Sequence, residues 1–281
     1  MENAEKIKSV VREKYGEIAK QTKSKTDTSC CESNSSCCTT EYESVGEDYS
    51  KLKGYSKDAD LGLGCGLPTE HASIKEGDTV IDLGSGAGND VFIAREIVGE
   101  KGKVIGIDMT EEMIEKANEN NTKLGYENVE FRFGEIENLP ITTEQADVVV
   151  SNCVLNLVPD KKKAFEEIFR ILKSGGHFSV SDIVTSGKLP ESLQSVAELY
   201  AGCISGAISK EEYIEIVKQC GFENIKVQKE RTICLPDEFL MKYISDKELE
   251  DYKKSDTRIY SITVYAEKQL NTKREDKMGC C

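Results

Sequence analysis

From Ile74 to Ser186 the chain alternates short apolar runs with amphipathic stretches of helical period, and few architectures accept that order. The runs are TVIDLG, KVIGID, VEFRF, DVVVSN and HFSVSDIV. Each is too short for a helix, and the alternation of such apolar runs with helices is the signature of a parallel sheet covered on both faces. The intervening helices fall at roughly 89–98, 111–124 and 160–173, the last expected to stop at Gly175 and Gly176. The order predicts a doubly wound α/β domain with its core over 71–185 and its outer limits at 42–185.

The flanks read differently. Over residues 1–41, Ile7, Val10, Val11, Tyr15 and Ile18 form one apolar stripe of a docking helix, followed by the Ser/Thr-rich QTKSKTDTSCCESNSSCCTTE, which has no apolar period and reads as a linker. The stretch DLGLGCGLP surrounds Cys65 with Gly62, Gly64 and Gly66, so this segment is expected to move or to approach another group closely. Beyond Ser186, helices near 191–203, 209–220 and 237–244 and the strand-like IKVQKERTI and YSITVYAEK predict a smaller α+β lobe over 186–267, with a loose tail at 268–281.

Composition narrows the partners. The 37 basic and 51 acidic residues give a net charge of −14, which opposes nucleic acid and anionic membrane. No apolar run reaches the ~18 residues of a membrane span, and the charged N-terminus is not a signal peptide, so a cytoplasmic protein is expected. Eleven cysteines are an odd count for a disulfide framework, and six stand in adjacent pairs; reduced thiols serving soft ions or redox chemistry fit better.

IDLGSGAGND joins the first strand to the first helix through Gly84, Ser85, Gly86 and Gly88. Its GxGxG spacing differs from the GxGxxG of dinucleotide sites. Asp82 stands just before the loop, and Asp108, placed 24 residues after Gly84, closes the second strand where it can accept hydrogen bonds from two ribose hydroxyls. An acidic loop suits a cofactor carrying a sulfonium and an ammonium without phosphate, which describes S-adenosylmethionine and not NAD. The arrangement resembles the Rossmann-like class I S-adenosylmethionine-dependent methyltransferases. That resemblance implies that Met109 flanks the adenine, that Ile136 and Glu137 reach the adenine edge, and that Asn152 lines the methionine end.

The methyl acceptor is suggested by cysteines rather than by a base. His71 and His177 are the only histidines, and both sit in contexts that favour packing. Cys153 lies just past the fourth strand, Cys65 in the glycine-rich segment, and Cys203 in ELYAGCISGAIS. Core packing accounts for any one of these cysteines; the three contexts together favour a site. GLGCGLP, IDLGSGAGND, SNCVLNL and GCISGA, in that order below a CC-rich segment, closely resemble the arsenite S-adenosylmethionine methyltransferases over residues 5–265. The resemblance implies that Cys65, Cys153 and Cys203 bind trivalent arsenic as catalytic thiolates, and that a cysteine of the 30–38 segment, taken as Cys31, joins in redox turnover. It also implies arsenite and methylarsenite, free or as thiol adducts, as substrates, thioredoxin or glutathione as reductant, and a monomer.

The chemistry agrees with the resemblance. Trivalent arsenic is thiophilic, three sulfurs leave its lone pair unused, and attack on a sulfonium methyl needs no proton removal. A monomethylated arsenic has two valences left for sulfur, so Cys65 is expected to matter most in the first methylation. Cys220 and Cys234 read as core, and Cys280–Cys281 as a tail outside the resemblance. Two alternatives remain: a methyltransferase for a small organic acceptor, and a metalloid-binding protein without catalysis.

Overall fold

The computed structural model describes residues 2–24, 47–194 and 206–270. One mixed sheet organises them, with strand order β3-β2-β1-β4-β5-β7-β6. The strands are β1 (Thr79–Leu83), β2 (Lys103–Asp108), β3 (Val129–Phe133), β4 (Ala146–Asn152), β5 (Leu172–Thr185), β6 (Glu223–Ile233) and β7 (Ile259–Glu267). β1 to β5 run parallel, while β7 is antiparallel to both its neighbours. The helices are α1 (Glu2–Ser24), α2 (Pro68–His71), α3 (Asn89–Val98), α4 (Glu111–Leu124), α5 (Lys161–Ile171), α6 (Glu191–Gln194), α7 (Lys210–Gln219), α8 (Asp237–Leu240) and α9 (Asp246–Lys254), with a 3-10 turn at Leu155–Leu157. None of the described helices is long and apolar enough to cross a membrane.

The period-two geometry of strands explains why the apolar runs are continuous. Ile81, Leu83, Ile105, Ile107 and Val149 face one core with Phe165 and Phe178, whereas Val80, Val104, Val148 and Val150 face another with Val91 and Phe92. Strand order reverses between β1 and β4, and Asp82 near the end of β1 and Asn152 at the end of β4 line the same crevice.

The C-terminal strands do not make a sheet of their own. β7 pairs with β5 from His177↔Glu267 to Thr185↔Ile259, and β6 closes the edge. Tyr213 of α7 is fully buried and meets Phe165 edge-on at 5.5 Å, so residues after 186 share the main core.

Three further readings change. α5 ends at Ile171 because Leu172 already has extended backbone and pairs with Ala146. Gly175 and Gly176 serve an irregularity in β5 instead of capping the helix; a Cβ on Gly176 would lie 2.9 Å from the Asp147 carbonyl oxygen. The buried face of α1 runs through Lys8, Val11 and Ala19, with Val10 exposed, because Lys8 is held by carboxylates. Finally, α9 has a complete capping box, Ser245 with Glu248, that the apolar pattern did not reveal.

Candidate active site at the carboxyl end of the sheet

β1 delivers Asp82 to the crevice, and the chain then turns through Gly84, Gly86 and Gly88, all at positive φ, before entering α3. The Asp108 carboxylate at the end of β2 organises this turn, accepting hydrogen bonds from the backbone N–H of Gly86 (3.0 Å) and of Thr110 (2.9 Å). A Cβ at Gly86 would meet nothing within 4 Å, so backbone is presented directly to the cleft. The Ser85 hydroxyl beside it is buried without a hydrogen-bond partner. Gly88 lies deeper: it begins α3, and a Cβ there would press on Phe131 and Phe92 at 2.9 Å. It supports the loop without lining the cleft.

The cleft is lined by Asp82, Gly84, Ser85, Gly86, Asp108, Met109, Ile136, Glu137, Asn152 and Cys153, so of the cofactor-binding residues expected from sequence all except Gly88 come together there. Sequence reasoning passed over Lys8, Tyr49 and Asp90, which line the same cleft. Lys8 reaches from α1 to Glu135 (2.7 Å) and Glu137 (2.6 Å), and Arg12 adds a second bond to Glu135 (2.7 Å). The signal for Asp90 was present as the acid closing IDLGSGAGND; Tyr49 and Lys8, remote in sequence from the loop, carried none.

Three carboxyls converge here, and among the described residues none of the three has an ion pair with a cation. Burial pushes Asp82 well above the ordinary carboxylate range, and the charges of Asp90 and Asp108 push it further. Asp90 is raised by burial to about 6 despite hydrogen bonds from Asn152, Tyr49 and Thr69, and Asp108 is raised by burial against its backbone donors. Such a site favours a cationic ligand, since positive charge would relieve all three. The unpartnered Ser85 hydroxyl and the open face of Gly86 leave polar groups for a ribose and a main-chain-like tail. The residues present therefore fit S-adenosylmethionine.

Cys153 follows β4 directly, in left-handed backbone (φ +61°), with its N–H donating to the Ser181 carbonyl at 2.7 Å. It is 5% exposed and opens on the cleft. Cys65 is fully buried in the same apolar cluster, which includes Val11, Leu157 and Ile183. Of the two expectations for its segment, close approach is what the contacts show. Its N–H donates to Asn152 Oδ1 (3.0 Å), its carbonyl accepts from Ser261 Oγ (2.6 Å), and Cβ atoms on Gly64 and Gly66 would collide with Asn152 and Ser181. These glycines permit close approach.

Cys203 and Cys31 fall outside the described residues, as do Cys280 and Cys281. A Cβ on Gly206, three positions after Cys203, would lie 2.0 Å from the carbonyl oxygen of Asn156, three positions after Cys153. Among the described residues no group of three or more His, Cys, Asp or Glu is arranged to hold a metal ion. Cys220 is half-buried on the core at the end of α7, as expected, and its thiol donates to the Lys162 carbonyl. Cys234 is exposed, not core, because β6 ends at Ile233 with that side chain turned inward and the next one outward. His177 Nε2 lies 2.6 Å from the Ala72 carbonyl oxygen, a structural contact far from a base's role.

A methyltransferase-domain family model matches residues 74–221. An arsenite methyltransferase of Halobacterium salinarum is 39% identical over 90% of this chain and 66% of its own length, and the human arsenite methyltransferase is 39% identical over 65% of this chain and 51% of its own. The chain thus spans roughly half to two thirds of these curated relatives. The crystal structure of an arsenic(III) S-adenosylmethionine methyltransferase from Chlamydomonas reinhardtii matches with a TM-score of 0.63 at 35% identity, covering 74% of this chain and 68% of that one.

Proposed function

The chain belongs to the arsenite methyltransferase family, and from that premise we propose that it methylates trivalent arsenic held by its own thiolates. The observation that carries the reading is the meeting of two systems at one strand end: Asn152 and Cys153, consecutive at the end of β4, line an acidic cleft that fits a sulfonium, and Cys65 shares the apolar cluster of Cys153.

In this reading Asp82, Asp90 and Asp108 hold the positive cofactor, the backbone of Gly84 and Gly86 with the Ser85 hydroxyl faces its sugar and tail, and Met109, Ile136 and Glu137 border the adenine. S-adenosylmethionine, when bound, supplies a methyl group on a positively charged sulfur. Cys65, Cys153 and Cys203 replace the oxygens of arsenite, releasing water and leaving the arsenic lone pair directed at the cleft. The surrounding Val11, Leu157 and Ile183 exclude water from the thiolates. Carbon–arsenic bond formation and carbon–sulfur bond cleavage leave arsenic formally pentavalent, and two electrons from a dithiol, closing to a disulfide, restore the trivalent state. We assign that pair to the upstream cysteines, Cys31 among them, with thioredoxin or glutathione re-reducing it in the cytoplasm.

The close approach of Gly206 to the Asn156 carbonyl supports the assignment of Cys203, since Gly206 follows Cys203 in sequence by three positions and Asn156 follows Cys153 by three. The test is direct: incubate the reduced protein with arsenite, S-adenosylmethionine and thioredoxin or glutathione, and identify products by mass. Methylated arsenicals and stoichiometric S-adenosylhomocysteine are expected. Tight arsenite binding without turnover would leave only the metalloid-binding reading, and turnover of an organic acceptor without arsenic chemistry would replace the reading altogether.

A further inference from the structure

The Cys65 segment is held by side chains from the far side of the cleft. Asn152 Oδ1 accepts from the N–H of Cys65 (3.0 Å) and of Gly66 (3.3 Å), while Asn152 Nδ2 donates to the Gly66 carbonyl at 2.8 Å. The side-chain amide therefore reads the main chain at 65–66 as a neighbouring strand would. Tyr49 adds a hydrogen bond to the same Gly66 carbonyl (2.9 Å) and contacts Asn152 Nδ2. Asp90 Oδ2 lies 3.1 Å from the Tyr49 hydroxyl, whose single hydrogen it shares with the Gly66 carbonyl, and accepts from Asn152 Nδ2 (3.2 Å), which fixes which end of the amide is the donor. Thr69, four positions after Cys65, donates to the other oxygen of Asp90 at 3.5 Å.

With Ser261 on the Cys65 carbonyl, every backbone polar group at 65 and 66 has a partner. Only the thiol remains to be directed, and it lies among the apolar residues around Cys153. Gly64 completes the fit, since a Cβ there would stand 2.7 Å from Asn152 Nδ2 and 3.1 Å from the Tyr49 hydroxyl.

We infer that Tyr49, Asp90 and Asn152 are a positioning cluster that fixes the Cys65 thiol relative to Cys153 and so sets the bite of the thiolate site on its substrate. The inference rests on the function proposed above and assigns these side chains a task toward the arsenic site, distinct from lining the cofactor cleft. Asn152 is suited to it because it is bonded in sequence to Cys153 and in space to Cys65. The function proposed above gives arsenite three thiolates and methylarsenic two, so a displacement of the Cys65 segment would alter binding of the first more than of the second.

The test uses the full-length reduced protein, Asn152→Ala, and Tyr49→Phe, which keeps the ring and removes only the hydroxyl. Arsenite and trivalent methylarsenic are titrated separately without cofactor, reading the near-ultraviolet arsenic–sulfur absorption and counting sulfurs by X-ray absorption; cofactor affinity is measured by calorimetry. Asn152→Ala, which loses more than two ordinary hydrogen bonds, should weaken arsenite binding about tenfold or more and lower the sulfur count from three to two, with methylarsenic affinity changed less than about twofold. Tyr49→Phe should move in the same direction by a smaller factor, with circular dichroism unchanged. Equal weakening of both arsenicals, or a retained three-sulfur site at unchanged affinity in folded Asn152→Ala, overturns the inference. A loss of cofactor affinity with arsenite binding intact overturns it too, since Asn152 would then act on the cofactor alone. If the unaltered protein gives no arsenic–sulfur signal, the proposed function fails and takes the inference with it; a normal wild-type signal with insensitive variants defeats the inference only.

Discussion

Asp108 shows how much one side chain is asked to do. It anchors Gly86 and Thr110 through both oxygens and still faces the cleft, so Asp108→Ala removes a charged acceptor and slackens the glycine turn together. Cofactor binding should weaken by about 1.5–3 kcal/mol, roughly tenfold or more, as calorimetry would show. The cysteines separate by surroundings. Cys153→Ser and Cys203→Ser should each abolish methylation of arsenite, because a protonated hydroxyl is a poor ligand for a soft ion, whereas Cys220→Ser, on the outer core, should stay active. Cys65→Ser should lose activity on arsenite and keep most of it on trivalent methylarsenic. That contrast follows from the valences of arsenic, and equal loss on both substrates would refute it.

At the scale of elements, α1 is the piece whose role emerges only on assembly. It packs on α4 and the 3-10 turn and brings Lys8, Val11 and Tyr15 over the cleft. Lys8, raised in pKa by Glu135 and Glu137 although burial pulls it down, stands between two carboxylates that would otherwise face each other. Lys8→Ala removes the ion pair of the buried Glu137 and leaves Glu135 only Arg12, with an expected loss of ~1–3 kcal/mol in stability and a fall in cofactor affinity. Urea unfolding and calorimetry check the two parts. Lys8→Arg, which keeps the charge, should recover most of both.

For the whole molecule, the sign of the pH dependence follows from buried acids. Asp90 is raised to about 6, and Asp182, buried on β5 against the Tyr213 hydroxyl, to about 7, both by burial, from an ordinary 3.8. A carboxyl raised in this way holds its proton longer in the folded chain than in the unfolded one. Folding stability is therefore lost as pH rises from about 4 through these values, with the penalty fully present above them. A bound cation favours ionised Asp90, so the rise in melting temperature given by S-adenosylmethionine should be larger at pH 7.5 than at pH 5.5; the reverse order would contradict a cationic ligand beside Asp90. Asp182 lies outside the cleft lining, and Asp182→Asn should flatten the pH dependence of the cofactor-free protein between pH 5 and 8 without changing the cofactor's effect.

The sequence by itself determined the parallel half of the sheet, because β1, β2, β4 and β5 are largely buried on both faces and leave continuous apolar traces, while β3, at the edge, alternates and is half-exposed, and it determined the glycine turn with Asp82 and Asp108, because strand end, spacing and charge are local properties. It also showed which cysteines stand in unusual contexts. Only the tertiary structure decided that β6 and β7 complete the same sheet, since strand pairing is a long-range hydrogen-bonding choice that an amphipathic pattern does not record. The same holds for the meeting of Lys8 with Glu137 and of Tyr49 with Asp90 and Asn152, where polar side chains far apart in sequence are paired by packing. Gly64 and Gly66 show the limit most plainly: a glycine allows motion or close approach equally, and only the neighbours, here Asn152 and Ser181, select close approach.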